Sequence, residues 1–128
     1  MKLLALPVSL VVLTAACGDD EPSDGADALF TTIIEPSCGG AACHLAGQSL
    51  GGLNLDNDGG LLDRLLAESS VDGVNIVVPG DPDASYFYLK LTDNFTSVGG
   101  RGVRMPLGAR GLNSERIQFV RDWITALE

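Results

Sequence analysis

The sequence predicts an all-α domain of about four short helices joined by long glycine-rich loops. Four segments place apolar residues at helical spacing, and the stretches between them are rich in glycine, asparagine and aspartate. Within the 128 residues of the chain, residues 27–128 suffice for one small domain. Its one tryptophan, two tyrosines and four phenylalanines offer little bulk against a conformational entropy cost of about 1–2 kcal/mol per residue. We therefore expect that something besides side chains completes its core.

The first two helices are predicted from stripes of apolar residues. Over residues 27–35, leucine, phenylalanine and isoleucine recur at helical spacing. We expect Pro36 to end this helix, because proline lacks the backbone N–H of a helix interior. Residues 61–69 carry leucines on one face, which predicts the second helix. The glycine-rich residues 45–60 between them are expected to form a loop.

Capping residues mark the other two helices. Asp81 is expected to cap a helix at residues 82–91, where a proline fits the first helical position. Asn113 is expected to cap the last helix, at residues 114–127. The second long loop, 92–112, lies between them. The side chains that we expect on the inner face of the last helix and beside it are Ile117, Phe119, Val120, Trp123, Ile124 and Leu127.

The first seventeen residues have the pattern of an export signal. Lys2 precedes an apolar core at residues 3–13, which is shorter than the roughly 20 apolar residues of a membrane span. The ending LTAAC resembles a bacterial lipobox, a motif in which the chain is cut before the cysteine and lipid is attached to it. We expect residues 1–16 to be removed and Cys17 to carry lipid. The alternative is an ordinary signal peptide followed by a spare cysteine.

Residues 17–26 follow as a lipid-bearing cysteine and an acidic tether. This segment has too few apolar groups to order itself. The lipobox resemblance implies an exported, membrane-anchored lipoprotein on the periplasmic side. Gly18, directly after the cysteine, favours the outer membrane.

Acidic residues dominate the chain, with 17 against 8 basic ones and a net charge of −9. Phosphate groups of nucleic acids and anionic lipid headgroups repel such a surface. We therefore expect no nucleic acid ligand, and contact with the membrane through the lipid anchor only. A partner protein with a basic face suits this charge.

Two of the three cysteines and the only histidine lie together in PSCGGAACHLAG. Two thiols followed by an imidazole suit covalent haem, where the sulfurs form thioethers with vinyl groups and the imidazole binds iron. The commonest spacing is C-x-x-C-H. Here the small residues 39–42 separate Cys38 from Cys43, and they permit an outward bulge. The alternatives are a Cys38–Cys43 disulfide beside a surface His44, and a zinc site, which needs a fourth ligand.

A methionine downstream offers a second ligand for haem iron. Met105 lies in the loop segment RMPLG and is the only methionine besides the initiator. A thioether is a soft ligand suited to haem iron, whereas the alternative is a methionine that fills the core. Three arginines surround it, Arg101, Arg104 and Arg110. Binding of a haem propionate by one of them and a solvated basic loop remain two alternatives.

With these parts in this order, the chain resembles the cytochrome c family, in particular the C-x4-CH variants of exported bacterial proteins and lipoproteins. The resemblance covers residues 27–128 through FTTIIEPSCGGAACH, VPGDPDASYFYLKL, RMPLG and IQFVRDWITAL. It implies a small Class I-like fold around one haem, with the last helix packed across the first. It also implies haem c attached through Cys38 and Cys43, with iron bound by His44 and Met105.

The resemblance implies a membrane-tethered monohaem cytochrome that carries single electrons and is not an enzyme. With His44 and Met105 on the iron, no position is open to oxygen or peroxide. The chain also lacks a second histidine that could act as a distal acid or base. A haem sensor or small peroxidase-like domain would require Met105 to leave the iron. The alternative from another class is a haem-free binding or structural lipoprotein with a Cys38–Cys43 disulfide.

Overall fold

The computed structural model describes residues 25–39, 43–108 and 110–128. Within these ranges the chain is helical without a β-strand, which confirms the all-α class. The export signal, the lipidated Cys17 and the tether up to residue 24 lie outside the described residues. No helix in the described ranges has the length and apolar character needed to cross a membrane.

The first helical segment, α1 (residues 27–38), changes its winding along its length. An α-helical turn at Asp27–Leu29 leads into a wider π-helical segment at Phe30–Ile34, and an α-helical turn at Glu35–Cys38 follows. The prediction that Pro36 ends the helix is wrong. Pro36 lies in the first turn of the last segment, where a backbone N–H is not needed for a helical bond. Helical structure therefore continues to the first cysteine.

The second helix, α2, spans Leu61–Leu66 and is shorter than the predicted 61–69. It ends at Ala67, whose backbone is extended. Directly afterwards, Glu68 and Asn75 form an isolated antiparallel bridge. Backbone groups that would have continued the helix find their partners across this turn instead.

The predicted third helix is divided by Ser85. A 3₁₀ turn at Pro82–Ala84 precedes α3, which spans Tyr86–Thr92. Asp81 caps the turn as predicted, since its carboxylate accepts a backbone N–H at 3.1 Å. The hydroxyl of the buried Ser85 donates to the Asp81 carbonyl at 2.7 Å and accepts from the Val78 N–H at 2.8 Å. These bonds accompany an extended backbone at Ser85, which separates the two pieces.

The last helix, α4, spans Ser114–Ala126. Asn113 caps it as predicted, and its side chain accepts the Arg116 N–H at 2.9 Å. Val120 and Ile124 on its inner face are fully buried. The helix contacts both α1 and α3, so the predicted apolar face is confirmed.

The core joins the inner faces of the four helices. Its completely buried apolar residues are Ala26, Leu29, Ile33, Ile34, Leu61, Leu65, Val77, Val120 and Ile124. Cys38 and Met105 pack against this core from its edge. The indole N–H of Trp123 donates to the Gly25 carbonyl at 3.0 Å, which fixes the start of the described chain to α4.

The two long loops contain short 3₁₀ turns at Leu50–Gly52 and Phe95–Val98. Gly100 follows the second turn and is buried. A Cβ atom at Gly100 would lie 2.6 Å from a backbone carbonyl oxygen and 2.8 Å from the Tyr86 ring. Only glycine allows the loop to approach α3 this closely.

Candidate functional site

A cavity of about 380 Å³ opens between the two long loops and α3. Its size lies in the range of about 300–1,000 Å³ typical of sites for small molecules and cofactors. Cys38, His44 and Met105 all line it. Three of the four side chains predicted to hold haem are therefore brought together around one space.

Apolar side chains form much of the remaining wall. They are Leu50, Leu53, Leu55, Ile76, Phe87, Leu91 and Val103. Leu50 and Val103 are 52% and 53% exposed, so they lie where the cavity opens to solvent. Besides Cys38 and His44, the polar and charged residues that line the cavity are Glu68, Ser69, Ser70, Tyr86, Lys90 and Arg101.

The ring of His44 is held by a hydrogen bond to the backbone. Its Nδ1 lies 2.8 Å from the Leu53 carbonyl oxygen. A carbonyl oxygen only accepts, so Nδ1 carries a proton, and in the neutral ring the lone pair is then on Nε2. The His44 N–H donates to the Cys38 carbonyl at 3.4 Å, and its own carbonyl accepts from the Leu55 N–H at 2.8 Å. Nε2 is therefore the ring atom available to bind a metal.

The two cysteines differ in their surroundings. Cys38 lines the cavity, whereas Cys43 is half-buried and is not part of the cavity wall. Both are free thiols in this structure. Burial, and secondarily the neighbouring Cys43, raises the pKa of the Cys38 thiol to about 11.

Part of the predicted bulge between the cysteines, residues 40–42, lies outside the described residues. Among the residues that the structure describes, which include both cysteines and His44, no three His, Cys, Asp or Glu side chains come together as a possible metal site. The zinc arrangement of Cys38, Cys43 and His44 is therefore not assembled there. The thioether of Met105 lines the same cavity as His44.

Met105 belongs to the second long loop, and its side chain both lines the cavity and packs against the core. Its backbone N–H donates to the Lys90 carbonyl at 2.9 Å. This bond ties the loop to α3 at the methionine itself. The methionine is thus placed by a backbone contact as well as by packing.

The structure separates the three arginines of this loop. Arg101 lines the cavity. Arg110 lines a different pocket of about 410 Å³, and the Arg104 guanidinium lies close to Gly111, 3.1 Å from where a Cβ atom would be. Of the three, Arg101 is therefore the one that lines the cavity, a distinction that the sequence did not provide.

A guanidinium holds the loop that supplies Leu53. Arg64 of α2 donates from Nε to the Asn54 carbonyl at 3.0 Å. Its terminal nitrogens donate to the Asp58 carboxylate at 3.2 and 2.9 Å. The carbonyl that orients His44 thus belongs to a loop fixed by α2. This role was not predictable from the sequence, because a lone arginine on a short helix resembles an ordinary surface residue.

A carboxylate holds the turn directly after His44. Asp56 accepts the N–H groups of Ala46 and Gly47 at 2.7 and 2.8 Å. Both oxygens of the carboxylate accept a hydrogen bond, so Asp56 holds residues 46 and 47 against the later part of the same loop. The segment NLDNDGG signals a turn but does not show which N–H groups its carboxylates bind.

We predict that Asp56→Asn lowers stability at neutral pH and flattens its decline in acid. The hydrogen bond from Gly47, assisted by the one from Ala46, holds the pKa of Asp56 below its ordinary value of 3.8. A carboxyl whose pKa is lowered by folding stabilises the fold above that ordinary value, and the effect is lost as the pH falls toward the lowered pKa. Urea unfolding over a series of pH values measures this, with the exposed Asp72→Asn as control. Parallel curves for wild type and Asp56→Asn would contradict it.

Cys38 and His44 of the cysteine motif and Met105 of the second long loop line one cavity. Comparison of the chain with known protein families, curated proteins and solved structures finds no match. The inference of function therefore rests on the motif and on the residues around this cavity.

Proposed function

We propose that this protein is a monohaem c-type cytochrome that carries single electrons, with a small Class I-like fold around one haem. The observation that carries the proposal is the shared cavity of Cys38, His44 and Met105. Cys38 and Cys43 would form the thioether bonds, and His44 and Met105 would bind the iron. Two motifs singled out independently in the sequence thus converge on one space.

The residues of the cavity fit haem c. The apolar wall suits the porphyrin ring, and Arg101 offers a guanidinium for a propionate. His44 keeps Nε2 free while Nδ1 donates to Leu53, which is the arrangement of a ligating histidine with a fixed tautomer. A cofactor here also supplies the bulk that a chain poor in aromatic side chains lacks.

The bound haem would supply a one-electron couple between ferrous and ferric iron. The hydrogen bond from His44 to the Leu53 carbonyl holds the ring in place, so that Nε2 would be the atom that binds iron. Met105 would also bind the iron and leave no position for oxygen. The apolar wall would keep water away from the porphyrin. These roles favour electron transfer over catalysis, and we propose that the protein is not an enzyme.

Export and lipidation at Cys17 complete the proposal. They would hold the domain on the periplasmic side of a membrane, with the outer membrane favoured by Gly18. Sequence supports this part through the signal pattern and the lipobox-like LTAAC. The mass of the mature chain, determined together with the haem, tests it by showing whether residues 1–16 are removed and lipid is added.

We predict that protein produced with the cytochrome c maturation machinery carries haem that survives acid–acetone extraction. Thioether bonds are covalent, so Cys38→Ser combined with Cys43→Ser should release all the haem, whereas the exposed control Gln48→Ala should retain it. Mass spectrometry of the mature chain measures both. A colourless wild-type protein with a Cys38–Cys43 disulfide would overturn the proposal in favour of the haem-free lipoprotein.

We predict that Met105→Ala abolishes the iron–thioether absorption band and lowers the reduction midpoint. Methionine ligation raises the potential, and axial ligands control a range of about 0.8 V. A shift on the order of 0.1 V is therefore expected. Leu107→Ala is the matched control, because Leu107 lies in the same loop and is 69% exposed. An unchanged midpoint and band in Met105→Ala would remove Met105 from the ligand set.

We predict that electron exchange with a basic partner slows as ionic strength rises. The net charge is −9, yet residues 94–114 contain three arginines and no acidic residue. We therefore place the contact with a basic face away from the Met105 loop. Raising the salt from 0.1 to 1 M shortens the Debye length from about 10 to 3 Å. If exchange rates measured by stopped flow do not change with salt concentration, an electrostatic encounter is contradicted.

A further inference from the structure

Lys90 of α3 bonds the segment that leads to Met105 at three points. Its Nζ atom lies 3.1 Å from the Arg101 carbonyl oxygen and 2.6 Å from the Val103 carbonyl oxygen. Its own backbone carbonyl accepts the Met105 N–H at 2.9 Å. One helical residue therefore holds every second residue of this segment.

The contacts of the Lys90 ammonium hold it against this loop. Nζ lies 3.9 Å from the centroid of the Phe95 ring, which is a cation–π contact. Lys90 also lines the cavity. A lysine ammonium is ordinarily hydrated at the end of a flexible stem, whereas here two carbonyls and a ring face surround it. Hydrogen bonds from a charged donor are among the stronger ones in proteins.

The loop has few other means of holding its shape. Val103 is 53% exposed, and Arg101 is also exposed. Between Gly100, where the loop meets Tyr86, and Met105, packing therefore contributes little at Arg101 and Val103, whereas the Arg104 guanidinium lies against Gly111. The two carbonyls that Lys90 binds lie in this interval.

We propose that Lys90 is a positioning residue for Met105, whose ammonium holds residues 101–103 so that the methionine faces the cavity. Its effect on iron rests on the proposed function, whereas its effect on the loop does not. Without the ammonium, the carbonyls of Arg101 and Val103 lose their charged donor. Of the three bonds between Lys90 and the loop, only the one from the Met105 N–H then remains. The loop then opens more often, and the methionine leaves the cavity with it.

Three variants of the full-length protein isolate this effect. Lys90→Met keeps an unbranched stem and removes the donors, whereas Lys90→Arg restores a cation with several donors. Arg121→Met is the matched control, because Arg121 also lies over an aromatic ring, that of Tyr88 at 5.6 Å. Arg121 binds the Asp83 carboxylate, away from the Met105 loop.

The first measurement is trypsin cleavage after Arg101 and Arg104, followed by mass spectrometry. Cleavage requires local opening of the loop, so its rate reports how often the loop opens. We expect Lys90→Met to be cut on the order of ten-fold faster than wild type. Lys90→Arg should be cut at nearly the wild-type rate, and Arg121→Met at the wild-type rate. Equal rates for Lys90→Met and Arg121→Met would overturn the role of Lys90 in the loop.

The second measurement is the binding of added imidazole to the ferric haem protein, which requires the methionine to leave the iron. Lys90→Met should bind imidazole on the order of ten-fold faster and lose part of the iron–thioether band, and Lys90→Arg should restore both. Faster cleavage without faster imidazole binding would overturn the positioning of Met105. A colourless wild-type protein would overturn the proposed function and the role toward iron, and the cleavage rates would still decide the role in the loop.

Discussion

The hydrogen bond from His44 Nδ1 to the Leu53 carbonyl oxygen is the contact on which the arrangement of the cavity depends. It sets the tautomer of the ring, and it joins the cysteine motif to the loop that forms one side of the cavity. Arg64 holds that loop to α2 through the Asn54 carbonyl and the Asp58 carboxylate. Through these bonds, α2 holds the loop whose carbonyl group orients the His44 ring.

The same principle operates on both sides of the cavity, since charged side chains bind the backbone of loops that packing alone does not hold. Arg64 serves the first loop and Lys90 the second, while Asp56 fastens the turn after His44. A domain with few bulky residues can make few apolar contacts that hold its loops. Side chain to backbone bonds fix the loops at their edges and leave the space between them open.

Local signals in the sequence predicted the caps and the apolar faces, because these depend on neighbouring residues. Asp81 and Asn113 cap as expected. The end of α2 and the continuation of α1 through Pro36 were not predictable, since each depends on backbone partners elsewhere in the chain or on a change of helical winding. For the site, residue chemistry identified side chains that the fold brings to one cavity. The supporting role of Lys90 escaped, because carbonyl acceptors leave no trace in the sequence.

The hydrogen bond between Trp123 and Gly25 determines how close the two ends of the described chain lie to each other. It places the entry of the described chain against α4, little more than one helical turn from the end of the chain at Glu128. Gly25 and Glu128, the two ends of the described chain, therefore lie near each other. A fluorescent reporter fused after Glu128 would therefore lie close to Gly25, and a long spacer before the reporter would separate the two.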